Sequence, residues 1–187
     1  MKVIGAVGRN GSGKDEVLKY LKAAYNVPFL STGEIVRGIA AKEGIEPTRE
    51  NLGRVSTRYF TEMGKGCFVK ILAGELKQSG WPVAGITGIR SLDDVTILKG
   101  FFGSDFILFC VCVTDAHVRF NRMVKRAEGR DPVSFEQFEQ QEEYEEKLFK
   151  ISEAEKHADY LLNNDTSLTY LHRQIDDVIN KNGVLNT

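Results

Sequence analysis

Lys14 closes a glycine-rich run whose spacing suits a bound polyphosphate. Across Gly8-Arg9-Asn10-Gly11-Ser12-Gly13-Lys14-Asp15 the pattern G-x-x-x-x-G-K-[ST] is met at every place but the last, where Asp15 replaces the hydroxyl. The glycines let the backbone curl so that successive N–H groups point inward. A helix opening near Lys14 adds the positive end of its dipole, and the two together hold an anion. Such a cradle seats the phosphates of a nucleotide and leaves open where a phosphoryl group would go.

Three further groups of residues narrow that question. Ser31-Thr32-Gly33-Glu34-Ile35-Val36-Arg37 places a hydroxyl and a bare backbone at the mouth of an apolar run, with an arginine one helical turn on. Gly88-Ile89-Arg90 follows another apolar run, where ligands of open α/β sheets gather, and Arg90 offers a planar fork for a phosphate. Arg119, Arg122, Arg126 and Arg130 recur at i, i+3, i+7 and i+11, a single helical stripe beside Ala116, Phe120, Met123 and Ala127. Without interleaved carboxylates these arginines repel one another unless anions sit between them. Cations closing over a transferring phosphoryl group supply most of its catalysis.

These residues must be positioned by strands alternating with helices, the signature of a wound parallel sheet. Strands are predicted at 2–7, 27–30, 82–87, 105–113 and 159–163, and helices at 14–25, 67–79, 91–102, 115–129 and 167–181. Ser31 with Glu34 predicts a capping box for a further helix, and Thr48 a cap for one carrying Leu52, Val55, Tyr59 and Met63. Residues 32–79 exceed a simple crossover and read as an acceptor-binding arm. Residues 126–150 read as a mobile lid plus a helix, with Glu136, Glu139, Glu142, Glu143, Glu145 and Glu146 on a solvated face.

Composition sets the bounds. The 187 residues suit one α/β domain, and 42% hydrophobic with 27% charged is ordinary for a soluble chain. A net charge of −1 supplies no field toward nucleic acid or membrane. The longest apolar run, Phe106 to Val113, is a strand's length. Met1 leads straight into the predicted first strand, so no signal peptide is expected. Cys67, Cys110 and Cys112 lack metal-site spacing and read as reduced thiols, so a cytoplasmic protein is expected. His117, His157 and His172 show no ligand spacing. A monomer or homodimer is expected.

The phosphate loop, Thr32-Gly33-Glu34…Arg37, Gly88-Ile89-Arg90 and Arg122…Arg126, in that chain order, resemble the adenylate-kinase-like branch of P-loop kinases, the nucleoside monophosphate kinases. Residues 44–55, Gly88-Ile89-Arg90-Ser91 and Asp131-Pro132 look like a microbial family within that branch. Ala158-Asp159-Tyr160-Leu161-Leu162-Asn163-Asn164 is similar to the end of that family and of dephospho-coenzyme A kinases. The resemblance implies a three-layer fold with a five-stranded parallel sheet ordered 2-3-1-4-5. It implies ATP held by Gly8, Asn10, Gly11, Ser12, Gly13, Lys14, Asp15, Glu16, Arg122 and Asn164. Thr32, Gly33, Arg37 and Arg90 would hold the acceptor, and Lys14, Arg90, Arg126 and Arg130 would act on the transferring group.

Two departures bear on the metal. Asp15 stands where the family has a magnesium-ligating Ser or Thr, and Thr87 where a strand usually ends in an acidic residue. The expectation is an exchange: Asp15 serves Mg2+ and the Thr87 hydroxyl supports Asp15. The expected activity is magnesium-dependent transfer from ATP to a nucleoside monophosphate. Dephospho-coenzyme A is the runner-up, and a nucleotide-binding regulator or slow ATPase is the rival from another class.

Overall fold

The computed structural model describes residues 1–129, 131–181 and 183–185. Five short strands, β1 (Lys2–Val7), β2 (Phe29–Ser31), β3 (Val83–Thr87), β4 (Phe106–Cys112) and β5 (Tyr160–Asn163), form one parallel sheet. Their order, β2-β3-β1-β4-β5, is the expected one. β1 is central: Val3 lies opposite Ala84 of β3 on one side and Phe106 of β4 on the other. Both faces of such a strand are covered, which is why residues 3–7 are apolar without interruption.

Parallel neighbours need helical crossovers, and two packed layers result. α1 (Lys14–Tyr25) and α9 (Leu168–Lys181) bury Val17, Leu18, Leu21, Leu171, Ile175 and Ile179 against Ile4, Ala6, Phe109 and Leu162. On the opposite face α4 (Cys67–Gln78), α5 (Leu92–Phe102) and the short α8 (Ile151–Glu155) set Leu72, Leu76, Val95, Leu98 and Ala154 on Val3, Val7, Ile86 and Leu108. A third, smaller core joins α4 to α2 (Thr32–Lys42) and α3 (Arg49–Met63) through Val36, Val55, Cys67 and Phe68. α6 (Ala116–Arg126) and α7 (Phe135–Phe149) are held together by Phe120, Phe135 and Phe138, with ring centroids 5.6–5.9 Å apart.

Side-chain capping sets the starts of α3, α5 and α6. Thr48 Oγ1 accepts from Asn51 N at 3.2 Å, Asp115 accepts from His117 N at 2.7 Å, and Ser91 forms a full capping box with Asp94. The box expected of Ser31 and Glu34 is not formed, since the Ser31 side chain accepts no capping hydrogen bond. Ser31 is the last residue of β2, in register with Thr87, and its side-chain direction is set by the sheet.

Two further expectations are corrected. α6 ends at Arg126, because Ala127 turns left-handed (φ 52°) and returns its N–H to Met123. Ala127 is therefore exposed rather than part of the apolar stripe, and Arg130 falls outside the described residues. The glutamate run is solvated at Glu136, Glu139 and Glu143, whereas Glu145 is buried and Glu142 and Glu146 are half-buried. The thiols are free, as expected, with Cys110 and Cys112 Sγ 3.5 Å apart. Among the described residues no helix is long and apolar enough to cross a membrane.

Candidate active site

The loop between β1 and α1 curls over the end of the central strand. Gly8 leads out of β1, Ser12 N donates to Arg9 O at 3.2 Å, and Gly13 caps α1 in a left-handed conformation. Only glycine fits at position 11. Its φ is 73°, and an added Cβ would lie 2.5 Å from the Arg119 carbonyl oxygen, a backbone atom that cannot swing away. Asn164, at the end of β5, locks the same loop: its Nδ2 donates to Ser12 O at 2.8 Å, and its own carbonyl accepts from Arg122 at 2.7 Å. Residues 12, 122 and 164 thus form one rigid corner.

Beside this loop lies a cavity of about 650 Å³. Of the expected nucleotide-binding residues, Asn10, Gly11, Gly13, Lys14, Asp15, Glu16, Arg122 and Asn164 line it. Gly8 and Ser12 shape the loop from behind. Burial pushes the Lys14 ammonium below its ordinary range, and nearby Arg90 and Arg49 push the same way against Asp15 and Glu145. An anion arriving at Lys14 relieves that cost. The Thr87 hydroxyl, at the end of β3, donates to Asp15 Oδ1 at 2.5 Å, and both residues face the cavity. They offer hard oxygen donors next to the phosphate loop, a set that suits Mg2+ completed by water and phosphate oxygens. Among the described residues no group of three His, Cys, Asp or Glu side chains could enclose a metal unaided.

A second, smaller pocket of about 80 Å³ adjoins the first. Gly33, Arg37, Arg49 and Gly88 line both. Thr32 Oγ1 donates to the Gly88 carbonyl at 3.0 Å, joining the start of α2 to the loop after β3. The approach leaves no room at position 88, where a Cβ would fall 2.0 Å from Thr32 Oγ1 at φ 87°. Arg37 folds over Gly33, lines both cavities and has no ion pair among the described residues. Arg90 is anchored through its backbone, whose N–H donates to buried Asp94 at 3.0 Å. Val36, Leu52, Phe60, Phe68 and Phe149 give it apolar walls, and Ser56, Tyr144 and Glu145 add polar groups.

Arg49, Arg90, Arg119 and Arg126 are paired with carboxylates rather than left to repel, and Arg122 donates to a backbone carbonyl. Arg119 is buried, donating to Val113 O at 2.8 Å and to Glu142, and faces away from the crevice. Arg126 lines the larger cavity and is held by Asp131 at 2.5 Å. Arg49 donates to Glu145 and lies 3.8 Å from Asp131, while Arg90 Nη1 lies 3.0 Å from Glu145. Burial pushes the Glu145 carboxyl up, yet Arg90, Arg49 and Lys14 outweigh it and hold the group down at about 2. Arg49 and Glu145 are the site residues that motif spacing missed. The sequence signal for Glu145 is the stripe Phe138, Glu142, Glu145, Phe149 at i, i+4, i+7, i+11, apolar at both ends, and Arg49 carries no comparable periodic signal.

A protein of Thermococcus onnurineus (strain NA1) named as a UPF0200 protein is 32% identical over 181 residues, spanning 96% of this chain and 97% of its own. A family model described as an AAA domain matches residues 7–139. The chain belongs to the UPF0200 family and to that AAA domain family. Among solved structures, TT1252 from Thermus thermophilus has a TM-score of 0.64 at 20% identity, covering 96% of this chain and 97% of that one. A shikimate kinase from Acinetobacter baumannii, in complex with shikimate, has a TM-score of 0.60 at 19% identity, covering 97% and 94%. The UPF0200 chain therefore has the P-loop kinase fold, with the sheet order 2-3-1-4-5.

Proposed function

We propose that this protein transfers the γ-phosphoryl group of ATP to a small anionic acceptor, and that the acceptor is a nucleoside monophosphate. One observation carries the reading: the phosphate-loop cavity opens onto a second pocket at Gly33, Arg37, Arg49 and Gly88, with Lys14 on one side and Arg90 on the other. Two cavities meeting at cations is the geometry of a donor and an acceptor facing each other. In the step, the bond from the β–γ bridging oxygen to the γ-phosphorus breaks, an acceptor oxygen bonds to that phosphorus, and ADP leaves. Lys14 and the N–H groups of residues 10–14 would hold the donor phosphates, with Arg122 and Asn164 toward the base. Arg37 and Arg90 would hold the acceptor. Arg126, with Arg130 from the segment after α6, would neutralise charge on the equatorial oxygens. Asp15, supported by Thr87, would hold Mg2+, which shields the β- and γ-phosphates when bound.

Helices α2–α4 act in this reading as the acceptor-binding arm, and the segment from Arg126 through α7 as the lid. The test is a coupled assay for ADP. Formation only on addition of AMP, CMP or UMP supports the reading, and formation only with dephospho-coenzyme A moves the acceptor to a ribose hydroxyl. Acceptor-independent turnover assigns an ATPase and overturns it.

A further inference from the structure

We infer that Glu145 occupies the seat of the acceptor's phosphate and competes with it as a tethered counter-ion. This rests on the reading of the smaller pocket as the acceptor site. One carboxylate oxygen of Glu145 accepts from Arg49 and the other lies 3.0 Å from Arg90, so a single anion bridges two guanidinium groups from different elements. That is the contact a phosphate makes with paired arginines. The carboxylate is buried, ionised down to about pH 2, and close enough to Lys14 to act on its charge. It arrives on a helix whose neighbouring side chains fill the same pocket. The Tyr144 hydroxyl lies 3.1 Å from where a Gly53 side chain would begin. Phe149 lies beneath Arg90, 5.1 Å from guanidinium carbon to ring centroid, and edge-on to Phe60. With α7 seated, the pocket offers about 80 Å³, well below the roughly 300–1,000 Å³ of small-molecule sites. A phosphate entering beside Glu145 would meet a buried like charge. It binds when Glu145 and α7 withdraw, and the measured affinity is the intrinsic one reduced by the fraction of molecules in that state.

The experiment titrates inorganic phosphate, and separately AMP, CMP and UMP, into protein saturated with a non-hydrolysable ATP analogue, for the native chain and Glu145→Gln. Glutamine keeps the size and removes the competing charge. The expected result is a Kd for inorganic phosphate at least tenfold lower in the variant. Equal or weaker phosphate binding by Glu145→Gln overturns the proposal. Glu145→Asp serves where the glutamine variant fails to fold. It keeps the charge but draws it back by one methylene from both arginines, so it too should bind phosphate more tightly, and failure to do so counts equally against the idea. The acceptor reading fails separately, if neither protein prefers any of the three monophosphates to inorganic phosphate.

Discussion

Exchanging the side chains of Asp15 and Thr87 tests the chemistry of the donor site directly. The two residues meet through one hydrogen bond of 2.5 Å between the start of α1 and the end of β3. A hydrogen bond to a charged partner contributes about 1.5–3 kcal/mol, which converts to about ten- to a hundredfold in rate at 1.36 kcal/mol per decade. Asp15→Ser leaves two hydroxyls and no carboxylate for the metal. Thr87→Asp sets two carboxylates within hydrogen-bonding distance, so one must take up a proton or both must move apart. Each single change should therefore lower kcat or raise the magnesium concentration for half-activation by about ten- to a hundredfold. The double variant restores one carboxylate and one hydroxyl in contact, with their places traded, and should regain at least tenfold over the poorer single. The assay is ADP release against magnesium concentration, with analogue binding as a control for an intact loop. A double variant no better than either single would refute the exchange.

Gly11→Ala should abolish detectable binding of an ATP analogue, since its Cβ would meet the Arg119 backbone at 2.5 Å; calorimetric titration checks this. Phe138→Ala removes a side chain 1% exposed that joins α7 to α6, and should cost about 3–5 kcal/mol in guanidinium unfolding. Glu145 titrates at 4.5 when unpaired and at about 2 in the folded chain. Its contribution, roughly 3 kcal/mol at 1.36 per decade, is thus complete above about pH 4.5 and lost as the pH falls toward 2. Melting temperature against pH should fall less steeply over that window in Glu145→Gln than in the native chain.

What could be read from the sequence is what depends on neighbours along the chain. The phosphate loop is legible because positive-φ turns demand glycine at fixed offsets, and the alternation of strands and helices because their hydrophobic periods differ, whereas the strand order came from the resemblance to P-loop kinases. The buried acidic contacts were not legible. Glu142 and Glu145 sit among exposed glutamates of identical type, and their partners Arg119, Arg49 and Arg90 are 23, 96 and 55 positions away in the chain. Composition along α7 signals solvent, and only the aromatic ends of its inner stripe betray a covered face. The Ser31 cap misled for the opposite reason: a local motif was overridden by sheet register.

The corner formed by Ser12, Arg122 and Asn164 sets an order of events during synthesis. The phosphate loop is encoded in the first fifteen residues, but β3 and β4, which flank the strand it leaves, come much later. The amide that braces it is later still. A nascent chain on the ribosome thus carries the loop long before it can shape it, and gains a competent cradle only after residue 164 has left the exit tunnel.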